Sequence, residues 1–167
     1  MTAANAATIR RATDADLDDL CRLRLAFIAD LRGVDPAEFD PAFVAATREF
    51  FVATMADGRL VSWLAELDRT SAGVVSVLTA DVPPLPERPL AHEGYIVNMY
   101  VDPRGRRRGI ARALLDAAIA AAPSLGFRGF FLHATTEGRP LYASAGFVDD
   151  PRIMLLPVDG TVPRPAS

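Results

Sequence analysis

The stretch VDPRGRRRGIARALL, residues 101–115, decides how the rest of the chain is read. From Arg104 to Arg112 it packs five arginines and two glycines into nine residues. An apolar run, GYIVNMYV (94–101), leads into it and has strand character. After Gly109 the period changes. Ile110, Leu114, Ala118 and Ala122 share one face of a helix, with Arg112 and Asp116 paired on its outer side. Strand, tight basic loop and helix start together aim backbone N–H groups and a helix N-terminus at one point. That geometry favours a diphosphate. Gly109 and Ala111 are small enough to let phosphates approach the backbone, and Arg106, Arg107 and Arg108 would supply countercharge at the rim.

Other anions fit less well. A nucleoside triphosphate loop needs G-x-x-x-x-G-K-[ST], and Gly109 is followed by Ile-Ala. The glycines at 105 and 109 do not have the G-x-G-x-x-G spacing of a dinucleotide fold. A nucleic-acid patch would accept the arginines, but residues 101–115 hold no aromatic ring to stack a base. The chain as a whole carries a net charge of -3, so no nucleic-acid partner is expected.

With 167 residues, half of them hydrophobic and 23% charged, the chain is expected to fold as one globular domain, with loose tails at 1–7 and 159–167. A single cysteine rules out an internal disulfide and any multi-cysteine metal centre, and Cys21 reads as a small core residue. His92 and His133 lie far apart without ligand spacing, so no metal is expected. No run reaches the ~20 apolar residues that cross a bilayer. The start MTAANAATIRRAT lacks a signal-peptide core, which points to the cytoplasm and to no membrane partner.

Working outward, TIRRA (8–12) reads as a strand. A helix starts at Thr13, carries Leu20, Leu23, Phe27 and Leu31 on one face, and ends at Gly33. Asp35-Pro36 restarts a helix through Phe39, Phe43, Ala46, Phe50 and Phe51 to Asp57-Gly58. RLVSWLAEL (59–67) and AGVVSVLTADV (72–82) form a hairpin around LDRTSAG. PPLPERP (83–89), with four prolines, is an irregular loop. GFRGFFLHA (126–134) is a strand, 136–145 a short helix capped by Thr135, and 147–148 and 153–158 are further strands. The order β-α-α-β-β-β-α-β-α-β-β defines a single mixed α/β domain with a central sheet flanked by helices.

Arg106-x-x-Gly109-x-Ala111 resembles the R/Q-x-x-G-x-G/A motif of the GNAT acyltransferases, which holds the pyrophosphate of acetyl-CoA. The flanks NMYVDP and RALL agree, and LHATTEGRPLYASAGF (132–147) resembles the family's later block. The likeness is specific from Tyr95 to Phe147 and topological before that. It implies an acetyl-CoA-dependent N-acetyltransferase acting directly on a primary amine of a small molecule, a peptide N-terminus or a lysine. A CoA-binding sensor or scaffold with little catalysis is the alternative.

The resemblance implies roles for particular residues. Backbone groups of Met99, Tyr100 and Val101 would meet the pantetheine and the thioester. Arg106, Arg107, Arg108, Gly109, Ile110, Ala111 and Arg112 would hold the diphosphate. Tyr142 would protonate the leaving thiolate. Glu93 is the first candidate base, followed by Glu66 and His92, and some members use no dedicated base. Thr135 stands where many members have Asn, and Gly138 where they have Ala, so Thr135 is not carried over as a ligand. The acceptor pocket is expected between the two N-terminal helices, the 83–92 loop and the strand around Trp63. Its lining would come from Phe39, Phe43, Phe50 and Phe51, a series that suits a plain core equally. Members of the family often form dimers, and IMLLPV (153–158) is a strand that could pair across such an interface.

Overall fold

A computed structural model describes residues 7–84, 86 and 92–154. The tail expected at 159–167 and most of the Pro-rich loop lie outside them. Five strands form one sheet in the order β1-β2-β3-β4-β5. They are β1 (Thr8–Arg11), β2 (Leu60–Leu67), β3 (Thr70–Asp81), β4 (His92–Val101) and β5 (Phe127–Leu132). The first four pair antiparallel and β5 joins β4 in parallel, which makes the sheet mixed as expected. Helices α1 (Leu17–Arg32) and α2 (Pro41–Ala56) belong to the N-terminal half. Helices α3 (Ile110–Ala121) and α4 (Arg139–Ser144) follow the basic loop and β5.

Two apolar layers result. Leu20, Leu23 and Phe51 from α1 and α2 pack on Leu60, Leu64, Val74 and Tyr100. Ile110, Leu114, Leu115 and Ala118 of α3 and Tyr142 of α4 pack on Val61, Trp63, Val75, Val77 and Ile96 of the other face. The central strands β2 and β3 are therefore buried on both sides, which is why their sequences read as near-continuous apolar runs. Cys21 is buried, as its small apolar character predicts, and burial pushes its thiol up.

Several boundaries differ from the sequence reading, each for a local reason. Thr13 opens a short 3-10 turn, Asp14–Asp16, before α1 begins. Asp35-Pro36 likewise starts only a 3-10 turn, Pro36–Glu38; the helix proper waits for Asp40, whose side chain accepts the N–H of Ala42 at 2.8 Å. The hairpin shrinks from LDRTSAG to a two-residue turn in which Asp68 and Arg69 are both left-handed, at φ 50° and 64°. Phe43 and Phe50 are exposed and only Phe51 of that series is buried, so the phenylalanine series is not a continuous core face. Trp63 packs under α3, on the face opposite α1 and α2, and does not join them in a pocket.

No strand forms at 147–148. Gly146, at φ 95°, ends α4 in a left-handed cap; the Phe147 N–H donates to the Tyr142 carbonyl at 3.0 Å, and the Phe147 ring packs on Tyr142. Phe147 is thus part of the helix cap. Ile153 and Met154 are exposed and not in a strand, and 155–158 lie outside the described residues.

Candidate functional site

The site is built where β4 and β5 part. They are paired from His92–Phe127 to Ile96–Leu132, and no further. β4 continues to Val101, so its β5-side edge over Val97–Val101 has no strand partner among the described residues. The register against β3 also slips here: Ser76 faces Asn98 while Val77 faces Ile96, which leaves Val97 as an extra, bulged residue. The bulge reverses the alternation of side chains. Ile96 faces the α3 layer before it, and Met99 and Val101 face that layer after it, while Tyr100 joins the α1 layer. Arg24 of α1 donates from Nη1 to the bulge carbonyl of Val97 at 3.1 Å. Next along the strand, the Asn98 side chain is 2% exposed, and neither its oxygen nor its nitrogen has a hydrogen-bond partner among the described residues.

Beyond Val101 the chain makes a 3-10 turn, Pro103–Gly105, held by the Gly105 N–H on the Asp102 carbonyl at 2.8 Å. Two left-handed residues follow, Arg107 at φ 57° and Gly109 at φ 76°, with Arg108 between them in an ordinary conformation. Alternation of this kind gathers successive N–H groups into a concavity suited to an anion. The N–H groups of Arg107, Gly109, Ile110, Ala111 and Arg112 make no backbone hydrogen bond with a described residue. The last three also open α3, whose dipole adds partial positive charge. Gly109 is required here by its backbone angle, since a Cβ added to it would meet nothing within 4 Å.

Of the arginines expected at the rim, Arg106 is turned toward α1. The Arg106 guanidinium pairs with Asp30 of α1, donates from Nε to the Val101 carbonyl at 3.0 Å, and lies 5.8 Å over the Tyr100 ring. Tyr100 also donates to Asp30, at 3.2 Å; burial, helped by the Asp30 charge, pushes its phenol up. Arg112 pairs with Asp116 at 2.8 Å, as its spacing predicted, and reaches Ser144 of α4 at 3.3 Å. Arg104 lies 3.4 Å from Asp102. Three of the run's five arginines, Arg104, Arg106 and Arg112, thus have a carboxylate partner.

Tyr142 sits on α4 against α3 and is buried, with no hydrogen-bond partner for its hydroxyl among the described residues. Burial pushes its phenol up. Glu93 lies at the start of β4 and accepts from Arg128 Nε at 2.9 Å. The other two candidate bases are also engaged: Glu66 with Arg10 at 2.7 Å, on the far side of the sheet from β5, and His92 with Asp81 at 2.9 Å. Thr135 accepts the Gly138 N–H at 3.1 Å and so caps the turn before α4. The pair Tyr95–His133 was not legible in the sequence. The Tyr95 hydroxyl and His133 Nδ1 are 2.9 Å apart beside the parting strands, and Tyr95 stacks on Phe131 with centroids at 4.7 Å. Arg24 was equally hidden, because nothing in RLRLAF distinguishes it from a solvated helix residue.

The model of the Acetyltransferase (GNAT) family matches residues 24–147, which include the bulge, the basic loop and α4. The chain belongs to the GNAT acetyltransferase family. Among solved structures, a predicted acetyltransferase with acetyl-CoA from Clostridium acetobutylicum superposes with a TM-score of 0.79 at 28% identity, over 90% of this chain and 96% of that one. A GCN5-related N-acetyltransferase from Ralstonia eutropha JMP134 gives a TM-score of 0.74 at 32% identity, over 93% and 100%. Human N-acetyltransferase 8 is 33% identical over 88 residues, which are 51% of this chain and 37% of that protein. For a GNAT domain the parted strands and the loop before α3 are the elements that would receive acetyl-CoA, and the free backbone donors found there fit its diphosphate. Among the described residues there is no cluster of metal-ligating side chains and no helix long and apolar enough to cross a membrane.

Proposed function

We propose that this chain is an acetyl-CoA-dependent N-acetyltransferase that acetylates a primary amine directly. The observation that carries the reading is a pair of features among the described residues: the β4 edge over Val97–Val101 that no strand covers, and the N–H groups of Arg107 and Gly109–Arg112 that make no backbone hydrogen bond. Diphosphate oxygens would accept from the loop and helix N–H groups. The thioester supplies an activated acetyl group; the edge of Met99, Tyr100 and Val101 orients it, and fixed donors there polarise its carbonyl at no reorganisation cost.

Tyr142 holds the proton for the leaving sulfur. Its raised pKa keeps the phenol protonated at neutral pH, and a thiolate in the same apolar surroundings is itself destabilised, so the transfer is not the uphill step it would be in water. Glu93 takes the proton from the amine, directly or through a water. Its bond to Arg128 fixes the carboxylate and does not block its second oxygen. The cytoplasm is the proposed compartment, and a homodimer the proposed assembly.

A thermal-shift titration with acetyl-CoA, CoA and ATP tests the site. A rise with both CoA species and none with ATP is expected, because a ligand that binds only the folded state stabilises it as RT ln(1 + [L]/Kd). Thiol release with an amine panel then separates a transferase from a binding module. No shift with either CoA species refutes the reading.

A further inference from the structure

We propose that Arg24 is the anchor for a carboxylate on the acceptor, so that the acceptor is an amino carboxylate such as a free amino acid. This deepens the transferase reading and rests on it. Among the described residues three arginines are half-buried: Arg10, Arg24 and Arg128. Arg10 is held by Asp16 and Glu66, both at 2.7 Å, and Arg128 by Glu93 at 2.9 Å. Arg24 has no carboxylate within ion-pair distance among these residues; its one hydrogen bond is the Nη1 contact to Val97. A guanidinium carries five donors in a planar fork, and a half-buried cation without a counter-ion is costly. Burial, the dominant effect, pulls the Arg24 pKa down.

The position matters as much as the missing partner. Val97 is the bulge at which β4 leaves β5, so Arg24 sits on the α1 side of the opening, where an acceptor would meet the thioester. Its surroundings are aromatic. The guanidinium lies 5.5 Å over Phe27, and Tyr95, stacked on Phe131 and bonded to His133, stands two residues before Val97 on β4. Such walls lower the local dielectric and strengthen a bidentate guanidinium–carboxylate contact. They do not favour a polycationic acceptor, which would bring more positive charge to an unneutralised arginine.

The test measures kcat/KM for common amino acids, their carboxamides and the corresponding decarboxylated amines, in the wild type, Arg24→Gln and Arg24→Lys. Glutamine keeps a donor for the Val97 carbonyl, so a role confined to holding the bulge survives in it. The wild type is expected to prefer the carboxylate over the carboxamide by about tenfold or more, the effect of a charge-assisted bond. In Arg24→Gln the ratio should fall to near one and in Arg24→Lys to an intermediate value, with the Kd for acetyl-CoA unchanged.

N-acetylamino acids and their amides, titrated onto the CoA-loaded protein, give a readout that does not require turnover. The free acids should stabilise the wild type and not Arg24→Gln. Equal use of acids and amides by the wild type, a preference that survives in Arg24→Gln, or no stabilisation by any N-acetylamino acid overturns the proposal. Failure of acetyl-CoA to bind at all would instead show that the transferase reading is wrong.

Discussion

Replacing Gly109 by alanine tests the phosphate loop with a calculable cost. The residue sits at φ 76° with open space where a Cβ would go, so alanine meets no clash and only the left-handed backbone is penalised. That penalty is about 1–2 kcal/mol. For a domain of this size it lowers Tm by about 2–8 °C. If the loop relaxes to escape the strain, its N–H groups no longer converge. Losing one hydrogen bond to a charged phosphate costs about 1.5–3 kcal/mol, which is about 10- to 150-fold in Kd for acetyl-CoA.

Gly58→Ala is the matched control, since Gly58 has φ 72°, nothing within 4 Å, and a place in the turn after α2. Both variants should lose similar stability in calorimetry, and only Gly109→Ala should lose acetyl-CoA affinity in titration calorimetry. A Gly109→Ala protein with lowered Tm and unchanged Kd refutes the loop as the diphosphate site. Equal affinity losses in the two variants would show that the effect is global.

Tyr142→Phe should lower kcat by about a hundredfold or more with acetyl-CoA affinity within about twofold, because it removes a proton donor and little packing; steady-state kinetics and titration check this, and an unchanged kcat removes Tyr142 from the mechanism. Leu114→Ala empties a fully buried position under the sheet and should cost about 2–5 kcal/mol in urea unfolding, whereas a loss under about 1 kcal/mol would mean that α3 is not packed as described. The hydrogen bonds from Arg10 hold the Asp16 carboxyl well below the ordinary carboxylate range. A depressed folded-state pKa stabilises fully above the unfolded value, about pH 4, and that stabilisation is lost as pH falls toward the folded value. Asp16→Asn should therefore be less stable at neutral pH and show a shallower loss of stability below about pH 4; an acid slope identical to the wild type's would contradict the pairing.

The sequence by itself determined the class of fold and marked the loop at which an anion site is proposed. Both are local. The period change at Gly109, the small residues at 109 and 111, and the apolar strand before them act over a few residues, and spacing records them. The helix restart at Asp35-Pro36 was local too, though only the structure showed that it opens a short turn and that Asp40 caps the helix.

Tertiary structure decided what pairs with what. The arginine run reads as exposed countercharge until α1 brings Asp30 onto Arg106, from 76 residues away. The bulge at Val97 depends on the register with β3, and an apolar strand without a clear period carries no mark of it. Once formed, it turns every following side chain to the other face, sends Tyr100 to α1 and parts β4 from β5. Arg24 becomes a half-buried cation beside that opening only because α1 packs there. Spacing along a chain records contacts within one turn or one strand; pairings made by packing distant elements leave no such record, and the chemistry of this site depends on those pairings.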